Sequence, residues 1–277
     1  MDDPRSPARE RFAALIERPA IPLAEAALAV AAEEYPRLDP ARYLAELDAL
    51  AAAATARLTP RRTVADGLRA LRAVLFTEAG FRGNEEHYYD PRNSFLNEVI
   101  DRRLGIPITL SIVYMEVAAR IGLPVQGVAF PGHFLVKAAA GDREVFIDPF
   151  HGGEVLSSDD CIERLRARAP RGEFDPRHLE AVGTRQILAR LLHNLKKIYV
   201  EAADDVRALW VVDRLVLLLP DDAHEKRDRG LVCARLGHAA AATRDLAAYL
   251  AASPAAQDRR EVEAVLAQLR GRAAFLN

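Results

Sequence analysis

Residues 105–124 read GIPITLSIVYMEVAARIGLP, and this stretch decides what kind of domain the chain builds. Pro107 suits the first turn of a helix, where its fixed φ and missing amide cost nothing. Gly122 followed by Pro124 ends one. Between them Ile108, Leu110, Ile112, Val113, Met115, Val117, Ala118 and Ile121 leave hardly a polar side. A helix that is apolar nearly all round belongs in the interior, so a central buried helix is predicted over 108–121.

Downstream, residues 131–150 read PGHFLVKAAAGDREVFIDPF. Aromatic and β-branched residues on either side of Gly141-Asp142 predict strands at 134–137 and 144–147, after another at 125–130. One helix set among a few antiparallel strands is an α+β domain. Upstream, Tyr88-Tyr89-Asp90-Pro91-Arg92-Asn93 reads as a loop, with Ser94 capping a helix to Leu104 that Gly105 closes. Earlier still, 22–35, 40–58 and 60–79 are rich in Ala, Leu, Glu and Arg at helical spacing, with prolines near their starts and Gly80 after the last.

Beyond the strands, Thr184 can cap a long helix to about Ala203. Pro220 and Pro254 then stop two further helical stretches 34 residues apart, the period of tetratricopeptide helix pairs. An ordinary helical bundle punctuated by two prolines has the same spacing. The expected organisation is an N-terminal helical segment (1–80), an α+β core (81–182) and a tetratricopeptide-like helical region (183–277).

Composition narrows the function. Half of the 277 residues are hydrophobic, which excludes global disorder. Thirty-eight Lys and Arg against 40 Asp and Glu leave −2, no electrostatic footprint for nucleic acid or an anionic membrane. The longest uncharged apolar run, 106–115, is about half of what a membrane crossing needs. Cys161 and Cys233, 72 residues apart, make neither a metal spacing nor a disulfide framework, which fits a reducing compartment. The acidic start Met1-Asp2-Asp3-Pro4 lacks the layout of a signal peptide. The expectation is a cytoplasmic protein without a cofactor.

The chemistry centres on His133 and Asp148. A hairpin turning between Ala140 and Gly141 would set them opposite one another on one face. A carboxylate beside an imidazole fixes its tautomer and stabilises its protonated form, the orienting half of a catalytic triad. A thiol at the start of the central helix would complete it, activated by the helix N-terminus. Residues 105–111 contain no cysteine.

Thr109 and Ser111 are the hydroxyls nearest that place. Two residues apart, they cannot share a helix face, and Thr109 on the first turn is the better nucleophile for a His133 base. Both can equally satisfy backbone groups or pack in the helix. Asn93, Arg103 and Ser111 are candidates to line the same cleft and bind, although capping and surface pairing explain Asn93 and Arg103 as well. Cys161 follows Ser157-Ser158-Asp159-Asp160 at a helix start, out of order for a triad, and reads as structural. His87, His133 and His151 with Asp148 fit no metal-ligand spacing, so no metal is expected. Arg164, Arg166, Arg168 and Arg171 read as a solvated face.

Asn93-Ser94-Phe95-Leu96-Asn97, the run Arg102-Arg103-Leu104-Gly105-Ile106-Pro107-Ile108-Thr109-Leu110-Ser111, then Tyr114, Ala118, Arg120 and Gly122 resemble the SirB1 family. So do Pro131-Gly132-His133-Phe134-Leu135-Val136, Asp148-Pro149-Phe150 with Gly152-Gly153, and Lys226-Arg227-Asp228-Arg229-Gly230-Leu231 with Arg235-Leu236-Gly237 and Asp245-Leu246. The resemblance spans roughly 20–275. It implies a papain- or transglutaminase-like core followed by a tetratricopeptide-like tail in a bacterial protein. The implied superfamily performs acyl transfer with a Cys-His-Asp triad, whose His and Asp match His133 and Asp148. Its cysteine falls near Pro107, and the family lacks it. The implied function is therefore a non-catalytic binding or regulatory module whose tail takes a protein partner, with no nucleic acid or membrane. Two alternatives are a hydrolase or acyl-transferase using Thr109 or water as nucleophile, and a scaffold in which only the tail matters.

Overall fold

A computed structural model describes residues 6–141, 143–168 and 174–275. Contacts divide the chain into two compact units, Glu17–Leu191 and the pair of segments Met1–Ile16 with Leu192–Asn277. This departs from the boundaries expected at 80 and 182. The first helix, α1 (Pro7–Ile16), buries Phe12, Leu15 and Ile16, and its Arg9 Nε donates to Asp213 Oδ2 at 2.7 Å. It is thereby committed to the C-terminal helices. The rest of the expected N-terminal segment belongs to the core unit.

In that unit, α2 (Leu23–Ala31), α3 (Pro40–Thr55) and α4 (Val64–Leu71) precede a π-helical turn, Arg72–Glu78. Asp39 caps α3 by accepting from Ala41 N at 3.0 Å, with Pro40 at the first position. Thr63 and Asp66 form a reciprocal capping box, so α4 starts later than the expected 60. Gly80, at φ 73°, ends this stretch as predicted.

The segment before the central helix differs from expectation. Pro91–Ser94 is a 3-10 turn capped by Asp90, and α5 (Leu96–Arg102) starts after Phe95. Ser94 caps nothing, and its Oγ lacks a partner among the described residues. Closure falls to Arg103 in the left-handed conformation (φ 58°), ahead of Gly105. The physical reason is that Leu104–Gly105 (β2) is drawn into a parallel pair with Arg82–Gly83 (β1).

The predicted central helix is α6 (Pro107–Arg120), buried along most of its length. It packs against α2, α3, α4 and α5, and against β3 (Val125–Val128) and β4 (Leu135–Ala140). With β5 (Arg143–Asp148), β6 (Glu154–Leu156) and β7 (Ala181–Val182), these strands form an antiparallel sheet of order β6-β5-β4-β3-β7. The α+β class is thus observed, and β6 and β7 are additions too short for sequence periodicity to announce. After β6, α7 (Ser158–Arg168) packs on the sheet, burying Cys161 and Leu165 with Val128, Phe130, Leu135, Phe146 and Leu156.

The hairpin register runs from Val136↔Ile147 to Ala140↔Arg143. The turn is therefore centred one residue later than expected, and His133 lies ahead of β4 rather than opposite Asp148. The shift moves a strand partner by two residues, and side-chain direction alternates with period two, so the face is kept.

The second unit takes α8 (Thr184–Glu201) from Leu192 onward, then α9 (Asp205–Leu218), α10 (Ala223–Arg235), α11 (Ala239–Ala252) and α12 (Arg259–Phe275). Helices α9 and α11 stop just before Pro220 and Pro254, as predicted. The α10–α12 core consists of Cys233, Ala242, Leu246, Tyr249, Val262, Leu266 and Leu269. At Gly230 α10 comes close to α11: a Cβ there would lie 2.8 Å from Leu246 Cγ and 3.2 Å from Leu246 N. Gly230→Ala would gain ~1 kcal/mol in helix propensity. The overpacking costs ~1–3 kcal/mol because one neighbour is backbone. A net loss of ~1 kcal/mol is expected in urea unfolding, and a gain would show that α11 recedes freely.

Candidate functional site

Asp148 ends β5 and simultaneously caps the 3-10 turn Pro149–His151: Oδ1 accepts from Phe150 N at 3.1 Å and His151 N at 3.3 Å. An Asp followed by Pro does this readily, since its carboxylate reaches the free amides two and three residues on. His133 lies in the turn after Gly132, whose φ is 68°, and its amide donates to Phe130 O at 2.9 Å. Both side chains are buried. His133 Nε2 is 2.9 Å from each oxygen of Asp148. The pair singled out in the sequence is therefore assembled, by the loop before β4 instead of by the ladder.

Two more groups converge on the same carboxylate. His151 Nδ1 lies 2.8 Å from Asp148 Oδ2, and Arg164 Nη1 donates to that oxygen at 3.2 Å. Arg164 also donates to Glu154 Oε2 at 2.7 Å, so this arginine of α7 is not the solvated charge its sequence suggested. Among its neighbours in the basic run, Arg171 lies outside the described residues. Burial alone would raise the Asp148 pKa, but hydrogen bonds and positive charge from His133 and His151 outweigh it and bring it to about 2. An aromatic wall flanks the cluster. Phe150 stands edge-on to His133 at 5.9 Å and to Tyr88 at 6.1 Å. A Cβ on Gly83 would sit 2.6 Å from the Phe150 ring, so that wall depends on a glycine.

The other expected site residues are engaged elsewhere. Thr109 is fully buried; its hydroxyl donates to Asn93 O at 2.7 Å and accepts from Ile106 N at 3.1 Å, holding the first turn of α6. That proton is committed to a carbonyl rather than to a His133 base. Asn93 is also fully buried, accepting from Asn84 Nδ2 at 3.0 Å and donating to His87 O at 2.7 Å, so it fastens the 84–93 loop. The Arg103 guanidinium lies over the Phe81 ring at 4.7 Å, with Glu46 at 3.5 Å. Ser111 is fully buried, and its Oγ has no partner among the described residues. Cys161 is buried in the sheet–α7 core, which pushes its thiol up to about 11. A thiol held protonated at neutral pH is a poor nucleophile.

The expectation that the histidines make no ligand cluster is corrected in part. His87 does not join, but His133, Asp148 and His151 offer atoms that all lie within 4.8 Å of one another. Sequence reasoning set His151 and Arg164 aside, the one as part of a spacing that fits no metal site and the other as a solvated charge. The available signal for His151 was the Asp-Pro turn, which folds the third residue back onto the Asp carboxylate. Arg164 had no local signal, because a tertiary contact between α7 and β5 brings it in.

The His-Asp pair is backed by the sheet, and α6 packs against β4 and the Pro149–His151 turn that carry it. Residues 41–193 match the transglutaminase-like superfamily, and the chain belongs to it. Residues 195–267 match the tetratricopeptide repeat. The chain is 37% identical over 245 residues to a UPF0162 protein of Xylella fastidiosa, covering 87% of each. It is 36% identical over 208 residues to a UPF0162 protein of Pseudomonas aeruginosa, covering 74% of this chain and 76% of that one. A 136-residue stretch is 30% identical to F-box only protein 21 of Mus musculus, covering 46% of this chain and 21% of that protein. No solved structure matches. Among the described residues, no helix is long and apolar enough to cross a membrane.

Proposed function

We propose that this is a SirB1-type cytoplasmic protein in which the transglutaminase-like core is a non-catalytic binding or regulatory module and the tetratricopeptide-like helices carry a protein partner. One observation carries the reading: the N-terminal turn of α6, where a triad thiol would stand, holds Pro107, and the nearby Thr109 hydroxyl is buried and bonded to backbone. His133 then has a carboxylate to orient it and no nucleophile to deprotonate. What survives of such a triad is a buried polar platform beside Phe150 and Tyr88. Support for the partner comes from the helical unit, where α8, α9 and α10 enclose a groove of about 510 Å³ floored by Val212, Leu231 and Val232. Grooves between stacked helix pairs are the usual recognition surfaces of such repeats.

The test is intact-mass measurement after exposure to a fluorophosphonate and, separately, iodoacetamide, with His133→Ala run alongside. The expected result is no His133-dependent adduct, and only slow alkylation of Cys161 and Cys233 as the fold opens. A single adduct at Thr109 or Ser111 that disappears in His133→Ala would replace this reading with an acyl-transferase or hydrolase.

A further inference from the structure

We propose that His133, Asp148 and His151 form a binding site for one divalent transition-metal ion of the zinc class, with a fourth position open to solvent. This goes beyond the reading above and does not rest on it: it concerns what the imidazoles can ligate, whether or not a nucleophile is present.

The donor atoms are the first argument. His133 Nε2 and His151 Nδ1 approach Asp148 Oδ2 at 2.9 and 2.8 Å, from separate turns on either side of the β4–β5 hairpin. Tetrahedral bonds of ~2.1 Å set ligand atoms ~3.4 Å apart, so each ring has to draw back from Oδ2 by ~0.5 Å, and the three donor atoms already lie within 4.8 Å of one another. Two imidazoles and one carboxylate with a vacant position is the donor set of metal centres that keep a water or substrate ligand.

The outer partners are the second argument. Oδ1 accepts from the amides of Phe150 and His151, which fixes the carboxylate plane, with His133 Nε2 2.9 Å from both oxygens and His151 Nδ1 on Oδ2. Ligating carboxylates are held in this way. In the metal-free protein the same ring nitrogens lie at hydrogen-bond distance from Oδ2. An ion takes that place once each neutral imidazole carries its proton on the other nitrogen.

Access and charge are the third. His133 and Asp148 are buried, whereas the His151 side chain is 37% exposed and gives an ion a path in. The opposing group is Arg164, whose Nη1 lies 3.2 Å from Oδ2. Its other terminal nitrogen is held by Glu154 at 2.7 Å, so the guanidinium has an anchor to keep when the ion arrives. Its positive charge still lowers the affinity, which makes Arg164 a useful diagnostic.

The experiment uses the full chain, stripped with chelator and titrated with Co²⁺ followed by absorbance, then with Zn²⁺ against a chromophoric chelator. The expected result is one ion per chain, visible cobalt bands of nitrogen and oxygen ligation without a thiolate charge-transfer band, and a rise in melting temperature with Zn²⁺. His151→Ala, which leaves the buried His133–Asp148 pair and both backbone amides in place, is expected to keep the fold with a slightly lower metal-free melting temperature and to weaken Zn²⁺ by at least ~100-fold. Arg164→Gln should bind as tightly or more tightly. The proposal is overturned by absence of saturable one-to-one uptake, by uptake that His151→Ala leaves intact, or by a thiolate signature marking Cys161 or Cys233. Any of these leaves the labelling result above unaffected, because that experiment reads nucleophiles and this one reads ligation.

Discussion

Asp213→Ala is expected to destabilise the C-terminal helical unit by ~3–5 kcal/mol, the usual cost of stripping one partner from a buried ion pair. Asp213 accepts from Arg9 Nε at 2.7 Å, Arg214 Nη1 at 2.7 Å and Arg229 Nη1 at 3.1 Å. Arg214 is the decisive neighbour. It is the largest fully buried side chain among the described residues, and burial, with repulsion from Arg9, pulls its pKa down to about 9. Without the carboxylate, a desolvated guanidinium loses the charged partner that Nη1 holds at 2.7 Å, while Nη2 still donates to Ser6 Oγ at 3.2 Å. Arg229 is less affected, since Asp245 holds it at 2.6 and 3.0 Å. The double variant Asp213→Ala with Arg214→Met should recover part of the loss, because the fully buried charge is then gone while Arg9, partly exposed, still lacks its carboxylate. Denaturant unfolding followed by circular dichroism measures both. A loss below ~1 kcal/mol in the single variant would mean that water reaches Arg214, contrary to the packing described.

Asp148→Ala is expected to cost the core unit ~3 kcal/mol. It removes the acceptor for His133, His151, Arg164 and two amides at once, from a fully buried site. The same carboxylate sets a pH dependence. Its folded pKa is about 2 against an ordinary 3.8, so the unfolded chain takes up the proton first as pH falls. The contribution of about 2 kcal/mol is fully present above pH ~4 and is lost as pH drops towards 2. Asp148→Asn, which cannot titrate, should flatten that part of the acid-unfolding curve. An unchanged acid limb would place the stabilising charge on another group.

The parts of the fold that were legible are those governed by local rules. The period of apolar residues between Pro107 and Gly122 locates α6 to within a residue, because an all-round apolar surface has one stable destination. The strand composition around Gly141 locates β4 and β5, and Pro220 and Pro254 mark the ends of α9 and α11. His133 and Asp148 were legible as a pair because both flank one hairpin. Ser94 shows where local rules mislead. It has the residue type of a cap, but Asp90 and Pro91 start a tighter turn first, and pairing of Leu104–Gly105 with Arg82–Gly83 ends α5 early.

Sequence by itself therefore determined the class of core, its central helix, the helical tail and the pairing of His133 with Asp148, since each is written in spacing or composition over a few turns. Tertiary structure alone decided the rest. It joined α1 to the C-terminal helices through Arg9 and Asp213, brought Arg164 and His151 onto Asp148, and committed Thr109 and Asn93 to the backbone. Each depends on which buried charge or hydrogen-bonding group lacks a partner once the elements are packed, and a desolvated group takes the partner that packing supplies, whatever its distance along the chain.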